Sequence, residues 1–299
     1  MPKPLAGYCP IIPTPYTEDN QIDLDSLRRL THYLIDNGAQ GMSPNGGDSE
    51  ARHLAKDERE RALDAMLEAN AGRIIVLAGC SATSTAESAR LCQHAQRGGV
   101  DGVFVMPPQH WTGTLSTQDV DDESMLAHYQ TIAEGLDIPI MVHATANMDV
   151  PFLHTLLERV PNVRYIKEET NHGPKLRKYI QELGERVTVF GPGLHYPAEL
   201  EWGARGVMPS CCAAHSHARV FDLWQAGLHD EARAAWNHML PLVFWRWHTA
   251  PGEAGKWFLM HEGVFRSRYT RPEFGKLKLD QADYREMLVV LRTMGEPPY

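Results

Sequence analysis

No apolar run in this chain approaches the roughly 20 residues needed to cross a bilayer. Its opening residues, MPKPLAGYCP, lack both the apolar segment and the cleavage site of a secretory signal. A membrane partner is therefore not expected, and a cytoplasmic location is. Basic charge is also short: 29 Lys and Arg face 38 Asp and Glu, a net −9, which argues against the broad phosphate-binding face that nucleic acid requires. The five cysteines (Cys9, Cys80, Cys92, Cys211 and Cys212) are odd in number, scattered and without a C-x-x-C pair. Reduced thiols fit this pattern, and the vicinal Cys211 and Cys212 read as small core residues. No G-x-G-x-x-G follows the first apolar run, which counts against an open dinucleotide-binding sheet. His215 and His217 have two-residue spacing but no third ligand, so no metal site is expected.

What is present is a regular alternation. Hydrophobic residues at 43% and charged residues at 22% allow a sizeable core. A length of 299 residues does not force two domains, because barrels of roughly 250 residues fold as one unit. Short apolar runs begin at Tyr8, Gly41, Ile74, Gly102, Pro139, Val163, Val187 and Gly206. Between them lie segments with apolar positions three and four apart, such as Leu24 to Asn37, Lys56 to Asn70, Met125 to Gly135 and Gly173 to Leu183. Strands alternating with helices imply parallel crossovers, and eight such units predict an α/β fold, the (β/α)8 TIM barrel, over residues 1–225. Residues 226–299 read as a C-terminal helical extension. Ala218 to Ala226 already has helical spacing, and five tryptophans, Trp224 there and Trp236, Trp245, Trp247 and Trp257 beyond it, mark this stretch as a packing or interface segment.

In such barrels the active site lies at the C-terminal ends of the strands. The residues that close the apolar runs are thus the candidates: Lys167, His143, the loop NGGDSE from Asn45, the loop PPQHW from Pro107, Gly191 and Ser210. Lys167 shares its alternation parity with Val163 and Tyr165, so it points to the barrel axis if they do. An ordinary lysine is protonated and no nucleophile, but burial disfavours the charged form, and a freed amine can attack a carbonyl to form a Schiff base. On pattern alone two readings stand: such an amine, or a strand-end lysine paired with Glu168 or Glu169 in solvent.

The order of several stretches then becomes specific. IIPTPYTEDNQIDLDSLRRLTHYLIDNGAQG lies near the start, GRIIVLAGCSATSTAESARLCQHAQRGGVDGVFVMPP in the middle, IPIMV one strand before IKEET, and VFGPGLHYPAELEWGARGVMPS later. Together with the tail containing Lys256 and YTRPEFGKL, they make nearly the whole chain resemble the dihydrodipicolinate synthase and N-acetylneuraminate lyase family. The resemblance implies a class I lyase on a (β/α) barrel, a homo-oligomer (tetramer or dimer), with no metal or organic cofactor. The family's Schiff-base lysine matches Lys167. The implied substrate is a small 2-oxo acid, whose imine permits aldol cleavage, aldol addition or dehydration of a 2-keto-3-deoxy sugar acid.

The chain also departs from the family. The Gly-Thr-Thr-Gly-Glu signature that holds the substrate carboxylate is replaced by Gly46, Gly47, Asp48, Ser49 and Glu50, which places an aspartate where an anion should dock. Either Ser49 and nearby amides bind the carboxylate, or Asp48 meets substrate hydroxyls. The proton-relaying tyrosine is matched by His143, whose imidazole is expected to titrate near neutrality and suits acid and base work. A tyrosine pair is matched by Gln109 and His110, so dihydrodipicolinate synthesis itself is not expected. Gly191 and Ser210 are expected at the mouth, Gly191 through its carbonyl. The opposing class is a non-catalytic or regulatory barrel that binds a small ligand, motivated by the lost threonines and tyrosines.

Overall fold

The computed structural model describes residues 5–107, 120–145, 147–249, 251–271 and 279–295. In chain order its elements are β1 (Gly7–Tyr8), α1 (Leu24–Asp36), β2 (Gly41–Met42), α2 (Lys56–Asn70), β3 (Ile75–Gly79), α3 (Thr85–Gly98) and β4 (Gly102–Val105). There follow α4 (Asp122–Ala133), β5 (Ile140–Ala144), α5 (Val150–Arg159), β6 (Val163–Glu168), α6 (Gly173–Leu183), β7 (Thr188–Gly191), α7 (Tyr196–Trp202), β8 (Gly206–Val207) and α8 (Ala214–Gln225). Helices α9 (His229–Thr249), α10 (Pro251–His261) and α11 (Gln281–Thr293) close the chain. Eight strands, each followed by a helix and paired in parallel, make this a (β/α)8 barrel fold with a C-terminal helical extension. No helix among the described residues is long and apolar enough to cross a membrane.

The chain divides into two compact units. The first comprises Met1–Cys9 and Ile75–Pro209. Its strands lie in the order β1-β8-β7-β6-β5-β4-β3. Every residue of β3, β4 and β5 is buried, as a parallel sheet covered by helices requires, and this is why these strands read as unbroken apolar runs. Against that background a buried histidine in β5 and a buried lysine in β6 stand out. The helices are started by side chains: Ser84, Asp121 and Asp149 accept the backbone N–H of Glu87, Ser124 and Phe152, each satisfying a donor that the first turn leaves open. The Asp121 cap explains why α4 begins at Asp122 rather than at Met125, where the apolar periodicity starts. A Cβ on Gly206 would overlap the Phe190 ring and the Gly7 backbone, so only glycine lets β8 lie this close to β1.

The second unit comprises Pro10–Ile74 and Ser210–Tyr299. Asp23 caps α1 by accepting from Ser26 N–H, and α1 packs on α2 and α8. Helix α8 packs on α9, which also carries α10 and α11. Trp236, Trp245 and Trp257 are buried in this helical part. Helix α8 begins at Ala214, directly after Ala213 in a left-handed conformation (φ 50°), four residues before the apolar pattern suggests.

Candidate active site

Two periodicities bring the first unit's polar groups together. In parallel pairing, His143 of β5 stands opposite Lys167 of β6, and Lys167 stands opposite Phe190 of β7. Residues two apart at a strand end share a face, so Glu169 follows Lys167 to the same side. The pairing continues past β6 through Glu169 N–H donating to Ala144 O. Glu168, on the opposite parity, accepts from Thr170 N–H, the Thr170 hydroxyl and His172 N–H, and so pins the turn after the strand.

Lys167 is only 5% exposed, which excludes a lysine paired in solvent. Its Nζ donates to Glu169 Oε2 at 2.5 Å, and His143 Nδ1 lies 3.4 Å from the same oxygen. The His143 ring is stacked on Phe104, 4.5 Å between centroids and 7° from parallel. Burial lowers the His143 pKa to about 3; Glu169 opposes the shift and Lys167 adds to it. The expectation of an imidazole titrating near neutrality is therefore corrected: Phe104 and the sheet remove the water that would stabilise the imidazolium, and the ring is neutral. With a carboxylate beside Nδ1, the ring proton is best placed there. Nε2, buried and without a hydrogen-bond partner among the described residues, then carries the lone pair. Burial works to raise the Glu169 carboxyl, but Lys167 outweighs it and holds it below the usual glutamate range. An amine, a carboxylate and a neutral imidazole thus share one oxygen, so a proton can pass between them without a long excursion.

Gly191 closes β7, and its carbonyl accepts from Met208 N–H. A Cβ there would overlap the Glu199 carboxylate, so the glycine permits a close backbone approach. His110, with Gln109, lies outside the described residues.

The remaining sequence-predicted residues lie in the second unit. Asp48 forms an ion pair with Arg246, a buried side chain of α9, so its negative charge is compensated. The Ser49 hydroxyl donates to Ile12 O and accepts from Gly46 N–H, so it helps to hold its own loop. Gly47 has open space where a Cβ would stand. Ser210 Oγ accepts from Cys212 N–H. His217 is buried against Trp236, and His215 is exposed. No group of three His, Cys, Asp or Glu suited to a metal ion occurs among the described residues.

The sequence profile of the dihydrodipicolinate synthetase family matches residues 4–290. The chain belongs to that family. It is accordingly a lyase of the Schiff-base type. Among relatives, an L-2-keto-3-deoxyarabonate dehydratase of Azospirillum brasilense is 28% identical, the match covering 96% of this chain and 94% of that protein. A 4-hydroxy-tetrahydrodipicolinate synthase of Rhizobium meliloti (strain 1021) is 26% identical, covering 91% and 88%. The E. coli K12 prophage protein YagE, of the dihydrodipicolinic acid synthase family and solved with pyruvate, superposes with a TM-score of 0.89 at 21% identity, covering 99% of this chain and all of that one. At that identity the superposition speaks for the fold.

Glu169 reads from the sequence as a solvent partner for Lys167, yet its i+2 spacing places it on the lysine's face. Glu199 and Arg246 carried no local signal. Each is a polar residue within a helix, and its burial follows from packing alone.

Proposed function

We propose that this family member acts on a 2-keto-3-deoxy sugar acid, with Lys167 as the nucleophile and His143 and Glu169 as the groups that move protons. The observation that carries the reading is the shared oxygen: Glu169 Oε2 meets both the Lys167 amine and the His143 ring. Lys167 must lose a proton before it attacks, and Glu169 is in contact to take it. Attack on the C2 carbonyl gives a carbinolamine, and loss of its hydroxyl as water leaves a protonated imine. The imine withdraws electrons from C3, so a base such as His143 Nε2 can remove a C3 proton and form an enamine. Departure of a protonated C4 hydroxyl then completes a dehydration. Alternatively, removal of the C4 hydroxyl proton from the imine breaks the C3–C4 bond and completes an aldol cleavage.

Gly47, Asp48, Ser49, His110, Gly191 and Ser210 are proposed as substrate contacts by their matched positions. Arg246 supports this for Asp48, because a compensated aspartate no longer repels an acid as a bare one would. With His143 and His110 where the synthases carry tyrosines, dehydration or cleavage is favoured over dihydrodipicolinate synthesis. The enzyme is further proposed to be a cytoplasmic homo-oligomer, tetramer or dimer.

A panel of 2-keto-3-deoxy acids, read both for pyruvate release and for formation of a longer 2-oxo product, tests the substrate class. Turnover of at least one sugar acid is expected. Turnover confined to pyruvate with aspartate semialdehyde would contradict it.

A further inference from the structure

Glu199 is a fully buried carboxylate that this chemistry does not use. It lies in α7, and backbone groups bind both of its oxygens: Gly193 N–H donates to Oε2 and His195 N–H to Oε1, each at 2.8 Å. The β7–α7 turn is built around it. Gly191 leaves no room for a Cβ against the carboxylate, and Gly193 turns at φ +85° where a Cβ would stand 2.8 Å from Pro209. Phe190, the residue before the turn, is the strand partner of Lys167. Among the described residues no cation forms an ion pair with Glu199, and burying such a carboxylate is costly, which calls for a role beyond stability.

We propose that Glu199 is a positioning residue whose ionised carboxylate, gripping two backbone amides, holds residues 191–195 in one conformation beside Lys167. For its effect on turnover this rests on the Schiff-base reading; the grip itself does not. Burial pushes the Glu199 carboxyl up to about 7, against the two N–H donors and Lys167 of β6, with Glu168 of β6 adding to the rise. Once protonated, one oxygen becomes a donor facing a donor, and the grip loosens. The turn is therefore held above pH 7 and released below it. The sign for stability is opposite. With a folded value above the ordinary 4.5, the folded state holds the proton more tightly, so the Glu199 contribution is full below 4.5 and is lost as pH rises through about 7.

The test compares wild type with Glu199→Gln and Glu199→Asp. The amide shifts of Gly193 and His195 are followed by NMR, and solvent deuterium incorporation into the methyl group of pyruvate reads enamine formation. In wild type both amides should titrate with a midpoint near 7, and the exchange rate should fall on the acid side with the same midpoint. Glu199→Gln should abolish the amide titration and flatten that limb, with the rate lowered at least about tenfold at pH 8. Glu199→Asp, which keeps the charge but not the reach, should retain a pH-dependent limb at a reduced rate. Amides that do not titrate in wild type, or a Glu199→Gln rate profile that superposes on wild type, would overturn the proposal. Titrating amides in a protein that exchanges no pyruvate would uphold the grip and instead contradict the Schiff-base reading.

Discussion

Two buried lysines, one in each unit, make a natural comparison. Lys256 is paired with Glu50; both side chains are fully buried, and the Lys256 ammonium sits 4.5 Å from the Tyr16 ring centroid. Arg271 lies over the same ring and is paired with Glu58. Each charge there has a partner that cannot move away. Lys167 is also buried, yet its partner Glu169 keeps 32% of its side chain exposed and also meets a neutral imidazole. The same two residue types thus make a staple in one place and, in the proposed mechanism, a proton-exchanging pair in the other. A buried Lys–Glu pair points to chemistry only when its carboxylate has a second group with which to trade the proton.

The largest expected effects come from exchanging both lysines in parallel. Lys256→Ala leaves Glu50 without its partner in the interior, a loss of up to about 3–5 kcal/mol that thermal or denaturant unfolding will read. In that variant, folded protein should still form an adduct at Lys167. Lys167→Ala should cost less stability than Lys256→Ala, since Glu169 is partly exposed and can turn to water, while turnover disappears. If Lys256→Ala lost the adduct at unchanged stability, the division of roles would be wrong.

A smaller effect sharpens the account on the catalytic side. His143→Phe should lower turnover by about 10²–10⁴-fold while the imine still forms; unchanged turnover removes His143 from the mechanism. The same variant has a pH signature. The folded value of His143, about 3, lies below the 6.5 of an ordinary histidine, so between those values the unfolded chain binds the additional proton. The His143 contribution is therefore full above pH 6.5 and is lost as pH falls toward 3, at about 1.4 kcal/mol per pKa unit at most. His143→Phe should flatten the acid limb of the stability curve over that window. An unchanged limb would show that the ring is not buried as a neutral group.

Much of the barrel was legible because parallel strands buried on both faces are forced to be apolar. The eight runs and their intervening helices recur in the structure with ends moved by a few residues, mostly where a cap such as Asp121 or the left-handed Ala213 decides the start. Lys167 and His143 were legible by position, as polar residues ending such runs. Their chemical state was not, since it depends on Phe104 across the sheet and on a carboxylate oxygen shared by two groups. Asp48 seemed misplaced for an anion site because its partner, Arg246, is 198 residues away along the chain. Glu199 was hidden for a related reason: its role rests on two backbone amides, and backbone donors leave no trace in side-chain patterns.

Borohydride reduction in the presence of pyruvate and of several 2-keto-3-deoxy acids, followed by mass spectrometry of the peptides, tests the central claim most directly. The account predicts a reduced adduct on the peptide carrying Lys167 and none on that carrying Lys256. No adduct with any 2-oxo acid, together with full activity in Lys167→Ala, would contradict it.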